Sequence, residues 1–284
     1  SKDTFEFIQN VIINSSKLMV LDGDVGNRTY NYIKSYGQCI NIVNDIKINK
    51  KNFLVTQDND NFSNKISNSV KSGEKVVIVS MSTGKCDSFH QKLKKKIPEK
   101  RVLTYTGLSD DNTKKDFNDV TNIWNKCDIL IYSPTCEAGV NFNIDHFDRM
   151  FGILSDKSTT PRGFLQMLAR IRKVKNNEII LLNESFDQKT KVKDFYTYPE
   201  VKASILHLES LNVQCENKMI NGKMCKVNNL SPYDINYIYN RVEQLNAGNY
   251  YFLSQLESMC ISKGHSFKRL DDKPKLEGEN KRKL

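Results

Sequence analysis

The chain has 284 residues, 38% hydrophobic and 27% charged, with a formal net charge of +10. That balance excludes a disordered segment and allows one large globular domain or two smaller ones. No apolar run approaches the length of a membrane span, and the surplus of Lys and Arg points to a polyanionic partner, because cations bound to phosphates release counterions.

In chain order, residues 4–14 carry apolar side chains at helical spacing. "KLMVLDGD", residues 17–24, reads as a buried strand ending in carboxylates, "NRTYNYIKSYG" as a helix closed by Gly37, and "QCINIVND", residues 38–45, as a second strand, together one βαβ unit. Residues 45–67, rich in Asn, Asp and Lys, read as a linker or long loop. A second series follows: strand 74–82, helix 84–97, strand 101–107, a helical stretch 110–125, strand 127–135, strand 148–155, helix 160–174 and strand 178–185. Short apolar runs alternating with helices predict an α/β fold, a mostly parallel sheet covered on both faces, whose ligands sit beyond the carboxyl ends of the strands. From about residue 186 the chain reads as a mainly helical C-terminal extension, with a hairpin around "MINGKM" because Asn221-Gly222 favours a tight turn. The last residues, 271–284, are a charged tail.

The 7 cysteines are scattered and include no CxxC pair. They read as reduced thiols of an intracellular protein, with Cys215 and Cys225 too poorly spaced for a zinc site. No metal site is expected from the spacing. Beginning at Ser1 rather than Met is expected of a piece of a longer protein.

Four stretches carry chemistry. Asp22 and Asp24 of "LDGD" end a strand, where carboxylates hold Mg²⁺ through water or cap the next helix. "VSMSTGK", residues 79–85, lacks the spacing of a phosphate loop. Its Ser80, Ser82 and Thr83 read instead as a strand-to-helix turn that bonds a backbone phosphate or caps the helix. In "YSPTCEAGVNF", residues 132–142, Thr135 can donate to a phosphate and Gly139 permits close backbone approach. Gln166, Arg170 and Lys173 fall at i, i+4 and i+7, one face of a helix, with Arg172 pointing elsewhere unless the helix ends early. Arginine suits a triphosphate because its planar fork binds oxygens bidentately. A solvated cationic face is the bland alternative for each cation taken singly. Without GxGxxG or a candidate catalytic His, a Rossmann-type small-molecule enzyme is a poor fit.

The order of "EKVVIVSMSTGK", "LTYTGLSDD", "CDILIYSPTCEAGVNF" and "FLQMLARIRKV" resembles the second RecA-like domain of superfamily-two helicases. "YSPTCEAGVNFN", "HFDRMFGIL" and "TPRGFLQMLARIR" carry a closer resemblance to the origin-binding-protein helicases of herpesviruses and large cytoplasmic DNA viruses. It covers residues 18–185 and is vaguer beyond. The helicase motif Q-x-x-G-R-x-x-R is met by Gln166, Ala169 in place of Gly, Arg170, and Lys173 in place of the final Arg, with Arg172 one place early.

The resemblance implies an ATP-dependent DNA helicase of viral replication. This chain would supply the arginine-finger half of the ATP site, Arg170 first and Arg172 second. Thr135, Glu137 and Gly139 would couple nucleotide state to the strand, and single-stranded DNA would meet the turns at Ser80–Thr83, Thr106-Gly107 and Ser133–Thr135. "LDGD" would then correspond to the third helicase motif, so that the Walker A and B motifs belong to an upstream RecA-like half. The implied domains are 1–57, the end of the first RecA-like domain and linker; 68–185, the second RecA-like domain; 186–270, the extension; and 271–284, the tail. ATP and Mg²⁺ are implied for the parent, with neither held tightly by this chain, which alone should not hydrolyse ATP. A fused primase or another replication protein is an implied partner, and a viral factory in the host cytoplasm, or the nucleus, the implied location. The rival is a non-catalytic DNA-binding or protein-interaction module. It would stack bases on Tyr196, Tyr198, Tyr233, Tyr237, Tyr239, Tyr250, Tyr251 and Phe252, although helix packing accounts better for aromatics at that spacing.

Overall fold

The computed structural model describes residues 2–21, 27–42, 49–136, 139–155, 158–183, 196–208, 214–247 and 252–270. Its elements in chain order are α1 (Lys2–Asn14), α2 (Asn27–Lys34), β1 (Asn52–Thr56), α3 (Asn59–Lys71), β2 (Val76–Ser80), α4 (Thr83–Lys96), β3 (Val102–Tyr105), α5 (Asp111–Lys114), α6 (Val120–Trp124), β4 (Ile129–Tyr132), β5 (Arg149–Leu154), α7 (Pro161–Leu168), β6 (Glu178–Asn183), α8 (Tyr198–Leu208), β7 (Gln214–Ile220), β8 (Lys223–Asn229), α9 (Pro232–Ala247), α10 (Phe252–Ser262) and β9 (Ser266–Arg269). They fall into two compact units, one of residues 1–46 and 197–242, the other of residues 47–196 and 243–284.

The larger unit is built on a 7-stranded sheet in the order β3-β4-β2-β5-β6-β1-β9, and every pairing in it is parallel. This is the mostly parallel α/β sheet expected from the alternation of short apolar runs with helices. Central strands face helices on both sides, so β2 is buried at every position. Successive side chains alternate between two cores. Val77, Val79, Leu130, Tyr132 and Leu181 join one with Phe164 of α7 and Leu256 of α10; Val76, Ile78, Ile129, Ile131 and Leu182 join the other with Phe62 of α3 and Phe89 of α4. At Gly152 of β5 an added Cβ would lie 2.5 Å from Leu181 and 2.8 Å from Phe164, so a glycine is what lets α7 lie against the sheet.

Three expectations are corrected here. The stretch 45–67, read as a linker, holds β1 and α3: Phe53 and Val55 of β1 point into the core, and Asp58 caps α3 by accepting from the Asp60 and Asn61 amides. The charged C-terminal part contributes β9, a short edge strand that pairs with β1 and carries Lys268 and Arg269. In the smaller unit, residues 17–21 and 38–42 are not strands although they are apolar. Leu18, Met19, Val20, Leu21, Ile40 and Ile42 are all exposed, and no described strand pairs with them.

The smaller unit otherwise follows the sequence. Asn221 and Gly222 take φ of 50° and 75°, the mirror-image turn that a tight β7–β8 hairpin requires. That hairpin sets Cys215 opposite Asn228 and Cys225 opposite Lys218, so its register does not pair the two cysteines. Tyr198 of α8 and Tyr239 of α9 lie 4.6 Å apart, Tyr233 stacks along α9 on Tyr237, and Phe5 of α1 meets Tyr233 edge-on. These rings pack on one another, with Tyr239 still 44% exposed, and in the larger unit Phe252 is fully buried. Tyr250, Tyr251 and the tail 271–284 lie outside the described residues. Among the described residues no helix is long and apolar enough to cross a membrane.

Candidate nucleotide and strand-contact site

Because β3, β4 and β2 are adjacent and parallel, the turns that follow them meet at one edge. After β2, the chain passes through Ser80 and Ser82 into α4. Ser80 is buried; its hydroxyl donates to the Ser82 carbonyl and accepts from the Ser82 amide, both at 3.0 Å. Ser82 is the N-cap of α4, accepting from the Lys85 amide at 3.4 Å, and Thr83 opens the helix half-exposed. After β3, Thr106 is buried and its hydroxyl accepts from the Leu108 amide at 3.3 Å, while Gly107 is exposed. After β4, the buried Ser133 hydroxyl meets that of Thr135 at 3.3 Å. A Cβ on Gly107 would lie 3.8 Å from the Thr135 hydroxyl, so the β3 and β4 turns touch.

The sequence expectation for these positions is corrected in part. Ser80, Thr106 and Ser133 are buried and hold the turns in shape, rather than pointing their hydroxyls at a ligand. Ser82, Thr83, Gly107 and Thr135 remain accessible. Leu108, 83% exposed at the tip of the β3 turn, was not anticipated, since an apolar residue among turn formers carries no distinguishing signal.

The basic segment differs most from expectation. Helix α7 starts as its sequence dictates, with Thr160 as N-cap accepting from the Gly163 amide at 3.1 Å and Pro161 in the first turn. It ends at Leu168, before the cations. From there the chain runs extended beside residues 142–147: Ile171 bridges Phe142, with the Phe142 amide donating to the Arg170 carbonyl and the Arg172 amide to the Phe142 carbonyl, each at 2.9 Å; Val174 bridges Phe147. The i, i+4, i+7 face of Gln166, Arg170 and Lys173 therefore does not exist. Ile171 is fully buried, and the arginines on either side of it reach neighbouring residues of the facing segment, Val140 and Asn141.

Arg170 is half-buried and donates from Nη1 to the Val140 carbonyl at 3.2 Å. It is near enough to Tyr132 and Cys136 for its charge to oppose the upward push that burial exerts on both groups; Cys136 is still raised to about 12. Arg172 donates from Nε to Asn141 Oδ1 at 3.0 Å, and exposed Lys173 pairs with Asp145 at 3.2 Å. Asn141 and Asp145 are thus partners that sequence reasoning missed, since only the fold sets residues 140–147 beside 170–174. Gln166 is exposed on α7. Gly139 takes φ of 78°, a left-handed conformation that favours glycine, and starts the run to Val140. Asp22, Asp24 and Glu137 lie outside the described residues. Arg170, Gly139, Thr135 and Gly107 gather near the carboxyl end of β4, where a parallel sheet binds its ligands.

With this arrangement in place, a family model described as "Origin of replication binding protein" matches residues 27–215. The chain belongs to that family. A replication origin-binding protein of Acanthamoeba polyphaga mimivirus, so named provisionally, is 32% identical over 98% of this chain and 36% of its own length. A helicase/primase complex protein of African swine fever virus, likewise provisionally named, is 28% identical over 61% of this chain and 17% of its own. The chain spans about a third of the length of the mimivirus relatives it matches. Among solved structures, Saccharomyces cerevisiae Dbp5 bound to RNA and ADP BeF3 aligns over 74% of this chain and 53% of its own, at 11% identity and a TM-score of 0.45.

At this edge the described residues offer a cation, Arg170, that suits an anion. An arginine held beside a glycine turn offers charge-assisted hydrogen bonds to phosphate oxygens. Among the described residues no group of three or more His, Cys, Asp or Glu side chains converges as a metal site. The four described buried cysteines are free thiols, and burial pushes Cys86, Cys127, Cys136 and Cys260 up to about 12, which keeps them protonated and inert.

Proposed function

We propose that this member of the origin-binding family forms the second RecA-like part of an ATP-dependent DNA helicase of viral replication. Its parts would be residues 68–185 with β1, an extension over 186–270 and the tail 271–284. The observation that carries this reading is the placement of Arg170 beside the Gly139 turn at the carboxyl end of β4, next to the touching β3 and β4 turns. Arg170 is the proposed finger, because its hydrogen bond to Val140 aims it near the sheet edge; Arg172, leashed only by an exposed side chain, is the second candidate. Single-stranded DNA would cross Thr83, Gly107 and Thr135, small, accessible residues that suit close approach of a phosphate backbone. ATP supplies the driving force when bound; on this chain's side the task is to meet its phosphates with a cation and to move the turns with it.

The rest of that site falls to an upstream RecA-like half bearing the Walker motifs, and residues 1–51 would complete it. The exposed apolar runs at 18–21 and 40–42 support this, since they have strand composition and lack a described neighbour. A fused primase or other replication protein as partner, and a viral factory or nucleus as location, belong to the same proposal.

The test is DNA-stimulated ATP hydrolysis by the full-length protein carrying this chain. Arg170→Ala should lower kcat by about a thousandfold or more, as loss of an arginine finger does. An unchanged rate would overturn the finger assignment and favour the non-catalytic binding module.

A further inference from the structure

Helix α4 leaves the carboxyl edge of the sheet at Thr83 and returns to the amino edge, where the chain turns into β3 at Val102. Its buried face is Cys86, Phe89 and Leu93. Around and beyond its end stand Lys92, Lys94, Lys95, Lys96, Lys100 and Arg101, with Glu99 the only acid in that run. All of these cations but half-buried Lys100 are exposed. Among the described residues no carboxylate pairs with Lys94, Lys95, Lys96 or Lys100, whereas Arg149, Lys173 and Lys175 elsewhere in the unit all have acidic partners. One or two lysines suffice to complement a helix C-terminus, at about 0.3–1 kcal/mol; that does not account for three in succession and two more cations past the helix end. Lys126, exposed just ahead of β4, extends the charge along the same edge.

This surface is not the site described above. The 14 residues of α4 span about 20 Å, which separates the lysine run from Thr83. It also lacks a stacking platform: residues 90–101 contain no Phe, Tyr or Trp, and Phe89 is buried. Single strands are gripped by bases on aromatic rings as well as by charge, whereas a duplex hides the faces of its bases and presents its phosphates outermost. We infer that the amino edge of the sheet, around Lys94–Lys96, Lys100 and Arg101, is a second nucleic-acid surface that holds duplex DNA by its backbone, without reading sequence.

The experiment is fluorescence anisotropy of the whole chain with a blunt duplex and with an oligo-thymidylate single strand, across a salt series. Replacing Lys94, Lys95 and Lys96 together by alanine keeps good helix formers, and circular dichroism reports whether the fold survives. The expected result is a duplex affinity about tenfold lower at low salt and a log–log salt slope shallower by about 2–3, with single-strand affinity nearly unchanged. A parallel variant, Thr83→Ala with Thr135→Ala, should weaken only the single strand. Failure of that second arm alone would count against the strand-contact reading and leave the duplex surface standing. Equal losses on both probes, an unchanged duplex slope in the lysine variant, or no duplex binding by the unaltered chain would overturn the inference.

Discussion

Arg170 and Arg172 both reach back to consecutive residues of one strand-like segment, Arg170 to the Val140 carbonyl at 3.2 Å and Arg172 to the Asn141 side chain at 3.0 Å. The two arginines are therefore tied to the same stretch of chain by unequal anchors, one to main chain and half-buried, the other to an exposed side chain.

Unequal anchors predict unequal costs. Arg170→Ala strips a hydrogen bond from a carbonyl in a buried neighbourhood and should destabilise the fold by about 1 kcal/mol. Arg172→Ala should stay within about 0.5 kcal/mol of the parent, as surface changes do. Urea midpoints of the two variants at pH 7.5 decide it; equal losses would mean that Arg172 is held more firmly than its exposure implies.

Lys173 is committed to Asp145, with side chains 48% and 70% exposed. An exposed pair is worth about 0–1 kcal/mol. A double-mutant cycle with Lys173→Ala and Asp145→Ala should give a coupling in that range that shrinks in high salt. ATP hydrolysis by the full-length protein should change less than tenfold with Lys173→Ala; a loss as large as that of Arg170→Ala would return Lys173 to the site.

Gly152→Ala should be among the most damaging single changes. The new methyl would overlap Leu181 on the neighbouring strand and Phe164 of α7, both fully buried. Overpacking of this kind costs about 1–3 kcal/mol. A lowered Tm is the expected readout, and its reversal by adding Phe164→Leu would show that the ring is what the methyl meets.

His146 should make stability fall with acid. It is buried, with Nε2 at 2.8 Å from the Cys127 carbonyl and Nδ1 at 3.3 Å from Lys75 Nζ. A carbonyl only accepts and an ammonium only donates, so the ring is the neutral tautomer with its proton on Nε2. Burial, aided by Lys75 and opposed by Asp148, Asp128 and the Cys127 carbonyl, holds its pKa below the ordinary 6.5. The unfolded chain then binds the proton first. Its contribution is complete above about pH 6.5 and is lost as pH drops through the lower folded value. His90 and His265 are shifted the same way by burial and add to the slope. Urea midpoints at pH 7.5 and 5.5 should differ less in His146→Gln than in the parent; an unaltered difference would place the titration elsewhere.

Local pattern alone specified much of this protein. Short apolar runs flanked by helical ones predicted β2 to β6 and the helices between them, and Asn221-Gly222 announced the hairpin, because apolar runs and turn chemistry act over a few residues. The motif order made the family legible, and with it the part of the sheet edge to search. What the sequence could not decide was pairing between distant segments. The run 160–174 has helical spacing throughout, yet α7 stops at Leu168 because residues 170–174 find hydrogen bonds along 142–147. Asn52–Thr56 and Ser266–Arg269, within polar and charged surroundings, become strands because the sheet offers them an edge; residues 17–21 and 38–42, with better strand composition, have no described partner and are not strands. A strand is completed only by its neighbour, so its existence, and the direction in which Arg170 and Arg172 point, are properties of the tertiary structure.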